Sequence, residues 1–497
     1  MLATYLSTAV SAALVLVITP LLVHGLGPER YGIWSLVWSF GLFATLLDLG
    51  LASATTRYVA QYNELGDEPM VIRTVSTSFW VLLGLGGVAL VVGAAFAPAV
   101  PVVFKAQGEE TATAVLVVLV AAAIGAVIAG GAFQGCLAGL QRYSLLSVIY
   151  IGAGVAQVGA FALALFLDGG LVALGVALLA VSLAEQIARY IAVRHFLPHV
   201  NLSPRIFDRS FAKEIFRVSV WISSTQIAQA MRYRLDTIVV GFVAGVRAAG
   251  VYTVGQLLFV AADRFIRPAL TGFFPFSAEL AGRRDAERLR AAVLTGSRVA
   301  LAAAGPLCIT GIVLAKPALQ AWVGAGYDDA QLVVVYLLSA LLLASISRAG
   351  LLMLQGSGNV RMPAAIAWGE AVLNLSLSVA LGLLIGLTGV ALATLIATLA
   401  VSTVIGIPYI CRVFDVPVRT FLVSTVGPHV PAACAALLTG WVVMPSDSAG
   451  LPLVIAAGAA IGASYLLTLA FTGLSRDERR RLWERMRRID SRAVSEA

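Results

Sequence analysis

Apolar residues fall along this chain in unbroken blocks of about twenty to thirty, enough for a helix to cross the roughly 30 Å hydrocarbon core of a bilayer. The block AVLVVLVAAAIGAVIAGGAFQGCLAG over 114–139 shows the type, with no charge and no alternation. A barrel strand needs only about ten residues and alternates its faces, so these blocks predict helices, which satisfy their own backbone groups. Cutting at charged, Pro-rich and Gly-rich breaks predicts fourteen spans, near 2–24, 31–57, 71–97, 112–140, 144–167, 171–194, 217–244, 250–277, 291–315, 331–355, 363–385, 389–411, 421–443 and 451–472. The first run, Leu2 to Val23, has no basic leader and no small-residue cleavage pattern after it, and reads as a retained helix.

Two stretches between spans have helical spacing of their own. In SPRIFDRSFAKEIFR, residues 203–217, Phe207, Phe211 and Ile215 recur between basic residues, as expected of a helix lying on an anionic leaflet. The tail SRDERRRLWERMRRID opens with a capping box, Ser475 and Glu478, and aligns Leu482, Met486 and Ile489 into a second such helix.

A repeat underlies the blocks. GPERYG, Gly27 to Gly32, follows the first span as GVRAAG, Gly245 to Gly250, follows the seventh; LAGLQRY from Leu137 matches LQGSGNVRM from Leu354; and GVAL recurs at Gly175 and Gly389. The offsets of 218, 217 and 214 residues are nearly constant, so spans one to six and seven to twelve read as copies. Six spans per copy is an even number, so the copies insert with one orientation and are related by an axis along the membrane normal. The expected fold is therefore an all-α integral membrane protein of about 14 transmembrane helices, two six-helix lobes plus two C-terminal helices. The expected divisions are an N-terminal lobe at 1–194, a cytoplasmic linker with an interfacial helix at 195–216, a C-terminal lobe at 217–412, spans thirteen and fourteen at 413–472, and a basic cytoplasmic tail helix at 473–497.

Composition agrees: 60% of the 497 residues are hydrophobic and 12% charged, and a mean hydropathy of +0.92 excludes an ordinary soluble domain. With both termini in the cytoplasm, inner loops and span ends hold 25 of the 34 Lys and Arg and outer loops hold Arg30, Lys105, Arg247 and Lys316, a strong positive-inside bias. The net charge of +8 thus reports membrane orientation and not a nucleic-acid partner. Cys136, Cys308, Cys411 and Cys434 lie in or beside apolar runs without metal or disulfide spacing, and His24, His195, His199 and His429 form no metal set.

Five arginines, Arg232, Arg234, Arg264, Arg267 and Arg348, fall inside spans, where a charge costs about 2.5 to 3.5 kcal/mol at mid-depth on insertion scales. Arg232 with Asp236 and Asp263 with Arg267 stand four apart and can pair on one helix face; Arg234 and Arg264 have no such neighbour. Arg348 and Glu370 could pair between helices, and Asp48 and Glu370 are the carboxylates suited to ion coupling. Gln134, Gln157, Gln226, Gln229, Gln256, Asn374, Trp221 and Trp368 lie at span depth and could line a sugar chamber, although most single members would serve helix packing.

The stretch GLGPERYGIWSLVWSFGLFATLLDLGLASATTRYVAQY, 25–62, with its words LGPERYG, DLGL and TTRYVAQ, and the later DTIVVGFVAGVRAAGVYTVGQLL, resemble the polysaccharide transporter family of the multidrug, oligosaccharidyl-lipid and polysaccharide exporter superfamily. That family includes O-antigen and capsule repeat-unit flippases, and the resemblance implies transport of a polyprenyl-diphosphate-linked oligosaccharide from the inner to the outer leaflet of the bacterial cytoplasmic membrane, by alternating access around a cation-lined cavity. It implies diphosphate contacts at Arg57, Arg232, Arg234 and Arg264, membrane lipids as surroundings, and a polysaccharide polymerase and glycosyltransferases as partners. Span one lacks the basic residues of lipid II flippases, which argues against a peptidoglycan precursor. A multidrug exporter of the same superfamily is the alternative; it usually has twelve spans and an acidic cavity. A membrane glycosyltransferase or polymerase is disfavoured because the loops near 98–111, 195–216 and 278–290 are too short for a catalytic domain, and no nucleotide-binding motif or cofactor is expected. An assembly scaffold is the remaining reading.

Overall fold

The structure is a computed structural model that describes residues 2–41, 48, 50–324, 326–446 and 449–472, without the side chains of 2–13, 205, 210, 214–227, 229, 232 and 233. The tail helix expected at 473–497 lies outside the described residues. Every long element among them is helical. Ten described stretches are apolar and long enough to cross a membrane, and two of them, Arg234–Gly282 of 49 residues and Arg361–Val413 of 53, each cover two expected spans. These ten stretches account for twelve of the expected fourteen spans, the N-terminal pair being only partly described, and the chain is a multi-pass membrane protein.

Helix α1, Leu2–Ser39, kinks at Gly27, which takes φ 74. It is followed by α2 (Leu51–Glu64), α3 (Glu68–Phe96), α4 (Ala99–Val103), α5 (Glu110–Gly139), α6 (Tyr143–Phe166) and α7 (Gly170–Phe196). After a 3-10 turn at Pro204–Ile206 come α8 (Arg209–Ala244), α9 (Val246–Leu270), α10 (Phe273–Gly282), α11 (Ala286–Val313), α12 (Ala315–Val323), α13 (Ala330–Gly356) and α14 (Arg361–Ala397). A π turn at Thr398–Ile405 leads to α15 (Gly406–Val413), α16 (Val418–Thr425), α17 (His429–Val443) and α18 (Leu451–Thr472).

Backbone detail carries the repeat further than the matching words. Gly27 and Gly245 both have positive φ, as do Gln141 and Gly358, 217 residues apart. At the latter pair the helix ends in the same way: Arg142 N–H bonds the Leu137 carbonyl and Asn359 N–H the Leu354 carbonyl, each at 2.9 Å, the six-to-one closure of a Schellman end. Gly66 and Arg284, 218 apart, also share positive φ. The residue after each, Asp67 or Asp285, caps the next helix by accepting from the backbone N–H of Met70 at 3.1 Å or Arg288 at 3.0 Å.

Two compact units emerge, residues 1–257 with 367–397, and 258–366 with 398–497. The sequence places its division instead at 195–216. Within the first unit the two copies of the Gly-rich turn touch. A Cβ on Gly250 would stand 3.0 Å from the Gly32 Cα, and one on Gly32 would overlap the Val246 carbonyl, so glycine permits backbone-to-backbone contact there. Helices α3 and α5 meet by the same device at Gly86 and Gly125, the small-residue contact that brings helices close in lipid.

The linker departs from expectation. The amphipathic segment is no separate surface helix: α8 runs unbroken from Arg209 into span seven. Phe211, expected in lipid headgroups, is 7% exposed and packs on the rings of Tyr58 and Tyr62, with centroids at 5.2 and 6.5 Å. Asp208 pairs with Arg73, and the Trp80 indole N–H donates to the Leu202 carbonyl at 2.9 Å. The linker is thus seated on α2 and α3, because its aromatic residue finds apolar partners in the protein and its acid finds an arginine.

Replacing Gly32 by Leu places side-chain atoms into backbone that has no rotamer to yield. The expected loss is about 1 to 3 kcal/mol, read as a lower apparent Tm of the purified protein in detergent; an unchanged Tm would show that the close approach is dispensable.

Candidate functional site

Buried polar clusters lie at membrane depth in both units. In the first, Asp236 of α8 is 2% exposed. Its Oδ2 accepts from the Tyr252 hydroxyl of α9 at 3.1 Å and from the Thr394 hydroxyl of α14 at 3.0 Å, and its Oδ1 from the Ser378 hydroxyl of α14 at 3.2 Å. The Asn374 amide donates to Thr394 Oγ1 at 2.9 Å. A carboxylate takes about four hydrogen bonds, so these donors offset much of the cost of removing it from water. The set is oxygen-rich, and a proton or a small hard cation could occupy it if the hydroxyls turned their lone pairs inward. Among the described residues no group of three His, Cys, Asp or Glu could hold a metal.

In the second unit Asp263 of α9 is 5% exposed. Arg267 Nε donates to its Oδ2 at 2.6 Å, the four-residue pairing that the spacing predicts. Arg348 of α13 adds a second ion contact, Nη1 to Oδ1 at 2.7 Å, without the alignment of a hydrogen bond. One acid therefore holds two guanidinium groups. Arg264 is half-buried and, among the described residues, has no ion-pair partner.

The remaining predicted residues divide by environment. Arg57 is exposed and stands on a helix that continues to Glu64, roughly 10 Å past it at 1.5 Å per residue, where the sequence puts the span end at 57. Arg234 donates to the Trp38 carbonyl at 3.2 Å. Asp48 is half-buried and Glu370 is buried. Asn374, offered as a sugar-lining residue, is 1% exposed with its amide committed to Thr394, and so belongs to the packed interior. Gln134 is exposed, and Gln157 is half-buried with its Nε2 unbonded. The side chains of Arg232, Gln226 and Gln229 lie outside the described residues, and with them the expected Arg232–Asp236 pair.

Sequence reasoning missed one cluster. Arg189, one of the 25 basic residues that the sequence assigns to inner loops and span ends, is 7% exposed; it pairs with Glu185 and donates to Gln186 Oε1 at 3.1 Å and Gln134 Oε1 at 3.3 Å. The signal was present, since Glu185 and Arg189 stand four apart inside an apolar span.

A family model described as polysaccharide biosynthesis protein matches residues 1–281, more than half of the chain. The chain belongs to this polysaccharide biosynthesis family. A Shigella flexneri protein assigned as an O-antigen transporter is 21% identical over 308 residues, 62% of this chain and 72% of that one. Among solved structures, a lipid II flippase, MurJ, in an inward closed conformation aligns with TM-score 0.68 and 16% identity over 95% of this chain and 97% of its own. An inward-facing multidrug resistance MATE transporter of the MOP superfamily aligns with TM-score 0.68 and 17% identity over 81% and 94%. A Pyrococcus furiosus MOP transporter whose binding pocket is described as having reverse polarity aligns with TM-score 0.59 and 19% identity over 83% and 94%. This member of the family thus shares its fold with transporters and flippases.

Replacing Asp263 by Ala strands two arginines at membrane depth, and removing one partner of a buried pair costs about 3 to 5 kcal/mol. A sharp fall in detergent-stable protein is expected, with partial recovery when Arg348 is also changed to Ala; additive losses in a double-mutant cycle would show that the two do not interact.

Proposed function

We propose that this protein is a flippase that moves a polyprenyl-diphosphate-linked oligosaccharide from the inner to the outer leaflet of the bacterial cytoplasmic membrane by alternating access, supplying surface polysaccharide such as the O-antigen of lipopolysaccharide. Its family, the O-antigen assignment of its Shigella relative and its likeness to a lipid II flippase support this reading. The observation that carries it is Arg264, a half-buried guanidinium at membrane depth with no ion-pair partner among the described residues. A cation so placed calls for water or an anionic ligand, and a diphosphate offers paired oxygens that a guanidinium fork can hold bidentately.

Arg234, Arg57 and Arg232 are proposed as further contacts for the diphosphate, and both termini as cytoplasmic, in keeping with the 25-to-4 distribution of basic residues. Asp48 and Glu370 remain proposed as ion-coupling carboxylates, and the oxygen shell of Asp236 joins them. A multidrug exporter is the second reading, favoured by the MATE alignment, but a cationic drug gains nothing from an unpaired arginine.

In proteoliposomes loaded with a labelled polyprenyl-diphosphate disaccharide, Arg264→Ala is expected to reduce translocation by about a hundredfold, the scale of a lost charge-assisted pair, and Arg264→Lys to restore part of it. Arg234→Ala should lose less, because its side chain already spends a donor on Trp38. Full activity in both alanine variants would remove the anion site.

A further inference from the structure

The cluster around Arg189 is built differently from the others, and its surroundings explain how. Arg189 is buried with its charge neutralised by Glu185, and two of its donors fix the amide oxygens of Gln134 and Gln186. Gly130 makes room for this, since a Cβ there would overlap Gln186 Oε1. Gln134 is exposed and its oxygen is held by Arg189, which leaves its NH2 to donate elsewhere. Tyr150 of α6, 47% exposed, lies within electrostatic reach of Arg189.

Helix periodicity decides which way Tyr150 faces. Four exposed apolar residues of α6, Val148, Val155, Leu163 and Phe166, fall within about 80° of one another at 100° per residue and mark the lipid side. Tyr150 and Gln157 stand about 180 to 200° from Val148 on the same count. A phenol turned to lipid would carry an unsatisfied polar group, so the exposed Tyr150 on this opposite face meets water or ligand, whereas the Gln157 amide nitrogen is buried there. Gln134, Tyr150 and Arg189 each lie roughly 8 to 11 Å inside the cytoplasmic ends of their helices, α5, α6 and α7, at 1.5 Å per residue, which puts them at one depth.

We propose that Tyr150, Gln134 and Glu185 form a binding wall for a neutral pyranose ring, with Arg189 as the residue that positions the two polar side chains. The inference rests on the flippase reading for why a sugar is present. An aromatic face, an amide with a fixed orientation and a carboxylate with one oxygen already held supply stacking, donors and acceptors for ring hydroxyls. The Arg189 charge is cancelled, so the wall selects neutral or N-acetylated sugars over uronic acids.

The test is saturation-transfer NMR of methyl glycosides of glucose, galactose and N-acetylglucosamine with the full-length protein in nanodiscs. The wild type is expected to bind at least one of them. Tyr150→Leu and Gln134→Met should each weaken that binding by about fivefold, the size of one lost contact of roughly 1 kcal/mol, whereas Val148→Ala, on the lipid side, should not. Absence of binding in the wild type, or equal binding in all variants, would overturn the site. Because this readout needs no transport, a protein that binds glycosides here but moves no lipid-linked sugar would keep the wall and lose the flippase reading.

Discussion

A polar group drawn into hydrocarbon must find a partner, water or a ligand, and that requirement arranges the helices of this protein more than any apolar contact does. Lipid tails are as apolar as leucine, so burial alone gives helices little reason to choose one neighbour over another. Asp236 supplies such a reason. Its hydroxyl partners come from α9 and from two points on α14, Ser378 and Thr394, on either side of the break at Ile385 and Gly386. The same acid ties the segment 367–397, distant in sequence, to the remainder of the first compact unit.

The arginines show the constraint from the other side. Arg189, Arg267 and Arg348 each meet a carboxylate inside their own unit, and such pairs are close to neutral for stability once desolvation is counted. Of the three, only Arg348 with Asp263 joins two helices, α13 and α9; the other pairs lie within one helix. Arg264 and Arg57 have no carboxylate in this sense among the described residues, and an unpaired guanidinium cannot persist in lipid at the cost quoted for mid-depth. Its position therefore carries information about water or ligand that a paired arginine does not. Arg264 is therefore the arginine that calls for a ligand, although its neighbour Arg267 is the more exposed of the two.

How far the sequence foretold this follows from what spacing can express. Helical spans were legible because lipid imposes uniform apolar blocks, and the repeat because its turns need particular backbone states. Gly27 and Gly245 announce theirs by residue type; Gln141 and Arg284 share the conformation without the glycine, so only their partners Gly358 and Gly66 could betray it. Contacts within one helix were also legible, as Asp263 with Arg267 shows. Contacts between helices were not: nothing in the sequence joins Arg348 to Asp263 or Thr394 to Asp236. The seating of Phe211 on Tyr58 and Tyr62 was hidden for a related reason, since an amphipathic face looks alike whether it meets lipid or protein.

The distinction between neutralised and unneutralised arginines also separates the parts of a lipid-linked sugar that the protein is proposed to carry. A diphosphate needs net positive charge, and the low dielectric of a bilayer magnifies any excess. A sugar ring needs directed hydrogen bonds, and beside it an excess charge would favour phosphate over hydroxyl. A wall for the sugar is therefore better built from a guanidinium whose charge has been cancelled but whose planar donors still orient its neighbours, as Arg189 does for Gln134. One residue type can thus serve both parts, with the nearby carboxylate deciding which.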